Sequence, residues 1–362
     1  MSRATSIPEQ ASTQEYRLSS DPYLLVAFWL GVVSVALTLL VALLVLNMRL
    51  RLRRSEVQWK RFMTTWRPIL MQAMVNPGLS PLPKLKAGQY ILFMRLWVYL
   101  HESVRGEAAQ RLNEVARALG IDVFARKLLH LGSRRHKLLA ILSLGHLRDL
   151  FAWTELRFLA EHSDGLLSVN AGRALIQIDP IAGVQSLMPL IIHRNDWDIT
   201  RVASFLGPAR EAFLPLLVES IPQVPQNMLP RVLRLGKALR LKLPTHTMLH
   251  LLGATQPSDV VVAALPMAES RDLVGEVRRC TAHSDHRVRE QAIRQLAVLG
   301  DPNDVKLLTD LMEDPQWAVR LAAAESLAVL PFISNEELAA LRRPGSLAES
   351  ILNHVLAQRS LA

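Results

Sequence analysis

The chain has 362 residues, of which 50% are hydrophobic, 6% aromatic and 20% charged, a composition that excludes a disordered or low-complexity chain. Its single cysteine, Cys280, excludes a fold held together by intrachain disulfides. The formal net charge is +10. The excess positive charge lies in two stretches, with net +6 over residues 49–67 and net +7 over residues 68–150. Residues 151–362 carry net −2, which argues against a nucleic-acid-binding surface there.

The first predicted element is a transmembrane helix at residues 23–48. No charged residue occurs in this stretch, which exceeds the ~20 residues that a helix needs to cross a bilayer. A cleaved signal peptide is the alternative, but its apolar region would be shorter and its preceding tail basic. Basic residues follow the stretch at once, so the positive-inside rule predicts a short extracytoplasmic tail at 1–22 and a cytoplasmic C-terminal part at a bacterial inner membrane. The small residues Ala27 and Gly31 would allow a homodimer through this helix.

Residues 49–75 predict a basic amphipathic juxtamembrane helix. Its basic and aromatic sides suit anionic lipid headgroups. An equally open alternative is that the aromatic side packs on the next domain. A Pro-rich linker is expected at 76–88. The predicted membrane-surface residues are Arg49, Arg51, Arg53, Arg54, Lys60, Arg61, Trp59 and Trp66.

A repeat of two helices follows. The sequence Val288-Arg289-Glu290-Gln291-Ala292 recurs 31 residues later as Val319-Arg320-Leu321-Ala322-Ala323. Apolar residues fall at +3, +7 and +10 from each arginine, which is one stripe of a helix. A fixed period of this size predicts an all-α, right-handed α-solenoid, with roughly seven helical pairs over residues 133–334. N-terminal capping helices are expected at 89–132 and a C-terminal cap at 335–362.

These units resemble HEAT-like repeats of the phycobilisome-lyase type. The resemblance is carried by the segment from Asp314-Pro315 to Leu327 and by its copy, which begins at His283. It implies a ladder of hydrogen-bonded ion pairs between neighbouring units, with Asp314, Arg320 and Arg289 as its members. Bilin lyase activity is associated with that family, but the resemblance speaks to fold more than to chemistry.

The sequence motifs do not indicate an active site. Two histidine pairs, His246 with His250 and His283 with His286, have suggestive spacing for a metal but lack further ligands. Phosphate-binding loops, nucleophile elbows and cysteine pairs are absent from the sequence. Cys280 next to two arginines could be a reactive thiol, although a buried structural cysteine is the simpler interpretation. We therefore expect no enzyme activity, no metal and no cofactor.

The leading hypothesis is a membrane-tethered scaffold or adaptor. Such a protein would bind a membrane-associated protein partner at the cytoplasmic face of the inner membrane, in an envelope or polysaccharide-synthesis assembly. The alternatives are a lyase or chaperone that acts on a cofactor-bearing protein and, less consistent with the charge, a nucleic-acid-binding solenoid. Positions +1, +2 and +5 from the arginine slot should point away from the core. The predicted partner-binding residues are Arg173, Arg201, Arg294 and Glu290.

Overall fold

The computed structural model describes residues 22–75, 82–341, 345 and 347–361. The chain divides into two compact units, Met1–Gln72 and Ala73–Ala362. The described residues form helices connected by turns and contain no strand, which confirms the all-α class. The predicted tail at 1–22 lies outside these residues except for Pro22, and so does the segment 76–81 of the predicted linker.

The first unit is built on one long helix, α1, which runs over Pro22–Val75. It contains a stretch, Val26–Leu50, that is long and apolar enough to cross a membrane by length and composition, a test that a signal sequence also passes. The helix is unbroken between this stretch and the basic segment at 49–75. At 1.5 Å per residue, the part after residue 50 extends for about 37 Å. The basic segment therefore continues along the same helix as the apolar stretch.

The second unit is an array of shorter helices. The first three after the linker are α2 (Tyr90–Ser103), α3 (Glu107–Ala118) and α4 (Ile121–Leu131). The central helices are α5 (Arg134–Leu147), α6 (Trp153–His162), α7 (Gly165–Ile178), α8 (Pro180–His193), α9 (Ile199–Leu206), α10 (Arg210–Ser220), α11 (Leu229–Ala238), α12 (Thr245–Leu251) and α13 (Ser258–Ala264). The last are α14 (Val274–Cys280), α15 (His286–Leu299), α16 (Val305–Leu311), α17 (Trp317–Val329), α18 (Asn335–Ala340) and α19 (Leu347–Leu361).

The odd-numbered helices from α5 to α19 stack in sequence, each against the next. Most even-numbered helices pack against one of them, whereas α10 packs against α8. This arrangement is an α-solenoid. The stacking helices present the apolar stripe that the 31-residue period predicted. The +7 leucines Leu144, Leu175, Leu206, Leu296 and Leu327 are all buried. Because α4 packs against α5, the first pair begins at Ile121, inside the segment that the sequence assigned to the cap.

Aspartates set where several of these helices begin. Asp164, Asp179, Asp198 and Asp285 each stand at the N-cap and accept hydrogen bonds from backbone N–H groups of the first turn. These donors have no partner within the helix, so a carboxylate at this place stabilises the start. At the other end of α15, Gly300 adopts a left-handed conformation with φ of 64°, which closes the helix at little steric cost. Local capping thus fixes the repeat boundaries.

Candidate functional site

A buried ion pair joins the two clearest repeats. Arg289 on α15 donates from Nε and Nη2 to the two oxygens of Asp314, at 2.8 and 2.9 Å. Its Nη1 donates to the backbone oxygens of His283 and Ser284. The two side chains are only 13% and 7% exposed. Burial raises the pKa of Asp314, but the Arg289 hydrogen bonds and the Gln316 N–H outweigh it, so that the pKa lies below its usual value.

Arg320 holds the equivalent place one repeat later, but among the described residues it does not pair with a carboxylate. Its Nη1 donates to the backbone oxygens of Asp314 and Pro315, at 2.7 and 3.0 Å. Its buried Nε has no hydrogen-bond partner among the described residues. The ladder implied by the resemblance therefore joins Asp314 to Arg289 of the preceding repeat. The residue that would continue the spacing from Arg320 is Gly345, which has no side chain to offer.

An open groove of about 810 Å³ lies in the N-terminal part of the second unit. It is bounded by the end of α2, by α3, by the end of α5, and by α7 and α9. Its charged lining consists of four arginines, Arg105, Arg117, Arg148 and Arg173, against two glutamates, Glu102 and Glu114. We call this the basic groove. It coincides with the part of the chain where the sequence has its excess of positive charge.

Two adjacent histidines line the basic groove. The rings of His101 and His146 lie 4.3 Å apart, and both are near the ring of the buried Trp97. His101 Nε2 donates to Asn113 Oδ1 at 3.0 Å, and Asn113 Nδ2 donates to the backbone oxygen of His146. Burial, and then the charges of His101, Arg173 and Arg105, lower the pKa of His146 to about 3. The pair is therefore neutral near pH 7, and His146 Nε2 is buried without a hydrogen-bond partner in the described part of the chain.

Helices α5 and α7 approach each other closely beneath the groove. A Cβ placed on Gly145 would overlap Gln177 Oε1 and lie 3.0 Å from the backbone of Ala174. The end of the Gln177 side chain could move aside, so the Ala174 backbone sets the limit on a larger residue at this position. Arg117 Nη2 donates to the backbone oxygen of Leu147 at 2.6 Å, which satisfies one of the terminal carbonyls of α5.

The structure separates the residues predicted to bind a partner. Arg173 on α7 lines the basic groove. Arg201 on α9 is exposed outside the groove lining, one turn before Ser204. Arg294 lies on α15, where it pairs with Glu290 at 3.2 Å and with Glu325 at 3.6 Å. Sequence reasoning missed His146, Arg105, Arg117 and Arg148, although the net charge of residues 68–150 is a signal that could have led to them.

Two aromatic side chains of the basic segment on α1 have little exposure. Trp66 is 3% exposed and Phe62 4%. Their rings stack on one another at 5.9 Å, and Trp59 stacks on Phe62 at 6.5 Å. The role of Trp59 and Trp66 at a membrane surface stays a prediction. The basic residues Arg49, Arg53, Lys60 and Arg61 are exposed, while the side chains of Arg51 and Arg54 lie outside the described set.

Metal and thiol chemistry find no support in the described residues. They contain no group of three or more histidine, cysteine, aspartate or glutamate side chains placed to hold a metal ion. Cys280 is buried. Burial raises the pKa of its thiol despite the positive charge of Arg279, the opposite of what an activated cysteine requires.

The stacked helical pairs, the regular buried stripe and the ion pair between repeats define a helical-repeat protein of the solenoid class. Residues 258–342, from α13 to just after α18, match the family model for HEAT repeats. This part of the chain thus has HEAT-like repeats, and the same helical stacking extends upstream of the matched residues. No curated protein matches the chain significantly.

Proposed function

We propose that the protein is a membrane-tethered scaffold or adaptor that binds a protein partner at the cytoplasmic face of a bacterial inner membrane, in an envelope or polysaccharide-synthesis assembly. The proposal is supported by the combination, in one chain, of a repeat array and an apolar helix. HEAT repeats commonly bind proteins along the surface of the stack. The apolar side chains of Val26–Leu50 are not buried within the protein, as lipid-facing side chains should be.

The tether and its orientation can be tested with the full chain. A reporter that is active only outside the cytoplasm, fused after Ala362, should be silent, and the protein should remain in the membrane fraction in high salt and alkali. Release into the soluble fraction would refute the tether. An active reporter would refute the cytoplasmic placement.

The basic residues next to the apolar stretch should set this orientation. Replacing Arg49, Arg51, Arg53 and Arg54 by glutamine should yield mixed orientations, because positive charge close to the helix end is what retains that end in the cytoplasm. The control replaces Lys60 and Arg61 by glutamine; these residues lie about 15 Å beyond Leu50, the end of the apolar stretch, which is more than the Debye length of about 8 Å. This control should keep a single orientation. Equal effects of both sets would contradict the role assigned to the first four arginines.

Partner binding can be tested by affinity capture from detergent-solubilised membranes. Changing Arg173, Arg201 and Arg294 to glutamate should abolish recovery of the partner while changing the melting temperature little, since exposed ion pairs contribute about 0–1 kcal/mol. The matched control changes three exposed basic residues of the even-numbered helices, Arg157, Arg210 and Lys306, to glutamate. If both triple variants lose the partner equally, net charge rather than this surface is responsible.

A further inference from the structure

The basic groove carries more positive charge than its own residues neutralise. Within the described part of the chain, the guanidinium groups of Arg148 and Arg173 make no hydrogen bond or ion pair. Arg173 is half-buried, so its charge is held where water screens it less than on an open surface. Arginine guanidinium groups in this situation bind carboxylates or phosphates through two parallel hydrogen bonds.

We infer that the basic groove binds an acidic peptide segment of the protein partner, with Arg148 and Arg173 pairing with its carboxylates. This inference rests on the proposed scaffold function, and it specifies the chemical character of the partner segment that contacts the groove. Two further arginines, Arg105 and Arg117, line the same groove. Arg105 and Arg173 both act electrostatically on the His146 ring, which indicates that their charges converge on one part of the groove.

The remaining lining favours a peptide over a compact polyphosphate. Glu102 and Glu114 would repel a concentrated negative charge, but a chain segment can place its acidic side chains away from them. Gln110 and Gln177 also line the groove, and their amide groups can bond to both the N–H and the C=O groups of an extended backbone. The volume of about 810 Å³ lies within the range of 300–1,000 Å³ typical of ligand sites, and the groove is open along one side.

Apolar side chains also line the basic groove. Ile176, Phe205 and Pro208 border the groove alongside the charged residues. Binding sites commonly combine such apolar contacts with a few placed polar groups that set orientation. The expected segment therefore has acidic residues interspersed with apolar ones, and the arginines select for the acidic ones.

The test measures binding of fluorescein-labelled decaglutamate to the full chain in detergent by fluorescence anisotropy. Decaglutamine serves as the uncharged reference. Decaglutamate should bind and dissociate in high salt, whereas decaglutamine should not bind. The double substitution Arg148→Gln and Arg173→Gln should weaken decaglutamate binding at least about tenfold, as expected for loss of charge-assisted hydrogen bonds. Its melting temperature should match the original, since neither side chain has a partner to lose.

Two control variants separate the groove from general charge. Arg157→Gln removes an exposed arginine on α6, and the fourfold glutamine variant of Arg49, Arg51, Arg53 and Arg54 removes twice the charge that the groove variant does. Both should change decaglutamate affinity less than about threefold. Failure of decaglutamate to bind would overturn the inference. So would a loss of decaglutamate affinity in the fourfold variant that is absent from the groove variant.

Competition with tripolyphosphate distinguishes the ligand classes. If tripolyphosphate binds more tightly than decaglutamate and depends on the same two arginines, the groove is a site for a phosphate-bearing small molecule and the peptide assignment is wrong. The scaffold function is scored separately by partner capture. If the partner is still recovered with the Arg148→Gln, Arg173→Gln variant, the scaffold proposal stands and the assignment of this groove fails.

Discussion

Replacing Arg289 by alanine should destabilise the repeat array by about 3–5 kcal/mol, the range measured when one partner of a buried ion pair is removed. The structure places this pair in that class because Asp314 is 7% exposed and Arg289 13%. The substitution removes both hydrogen bonds to the carboxylate and leaves it buried, with the Gln316 N–H as a remaining donor. It also removes two bonds to the turn before α15.

The matched control is Arg294→Ala on the same helix. Its ion pairs with Glu290 and Glu325 are exposed, the Arg294 side chain being 48% exposed. Such pairs contribute about 0–1 kcal/mol. Thermal melting of the two variants in detergent should therefore differ clearly, with a drop of about 6 °C or more for Arg289→Ala and a few degrees at most for the control.

Hydrogen exchange should show which helices of the Arg289→Ala variant are destabilised. In a repeat protein each unit is stabilised mainly by its neighbours, so protection should be lost first in α15 and α17 and retained in α5 and α7. The difference between the original protein and the variant should shrink below about pH 4, where the carboxylate left unpaired in the variant becomes protonated. Equal melting shifts for Arg289→Ala and Arg294→Ala, or uniform loss of protection along the array, would refute the assignment of a buried ladder.

Three further predictions concern particular side chains. Arg320→Ala should cost about 1–2 kcal/mol in chemical denaturation, less than Arg289→Ala, because it loses hydrogen bonds to backbone oxygens but no ion pair; a larger cost would mean that a carboxylate pairs with it. The pKa of His146 is about 3 in the folded protein, below its value in the unfolded chain. The neutral ring therefore contributes its full stabilisation when the pH is above the unfolded-state pKa, and this stabilisation is lost as the pH falls below that pKa. This should amount to about 2 kcal/mol between pH 7 and pH 5, and His146→Phe should flatten the pH dependence of unfolding in that window; an unchanged slope would show that the ring titrates normally. Gly145→Ala should destabilise the protein by about 1–3 kcal/mol through the clash with α7, while Gly275→Ala, where a Cβ meets nothing within 4 Å, should be neutral or stabilising by calorimetry; equal effects would contradict the close approach.

The sequence by itself determined the repeat and its core. Leu296 and Leu327, 31 residues apart, fall on one stripe of their helices, and a stripe of that kind must be buried whatever packs against it. The apolar stretch after residue 22 is equally local, because its length and lack of charge require no knowledge of neighbours. The aspartates at helix starts are local as well, since a cap acts within its own first turn.

Only the tertiary structure decided which side chains meet. Asp314 pairs with Arg289, 25 residues before it, rather than with Arg320, six residues after it, because stacking brings the turn of one repeat against the helix of the preceding one. The basic groove has the same origin: His101, His146 and Arg173 come from three different helices, two of which, α5 and α7, approach closely at Gly145. Helical periodicity tells which face of one helix is buried, but the partner across that face is set by how successive helices stack, and that geometry is absent from any local pattern.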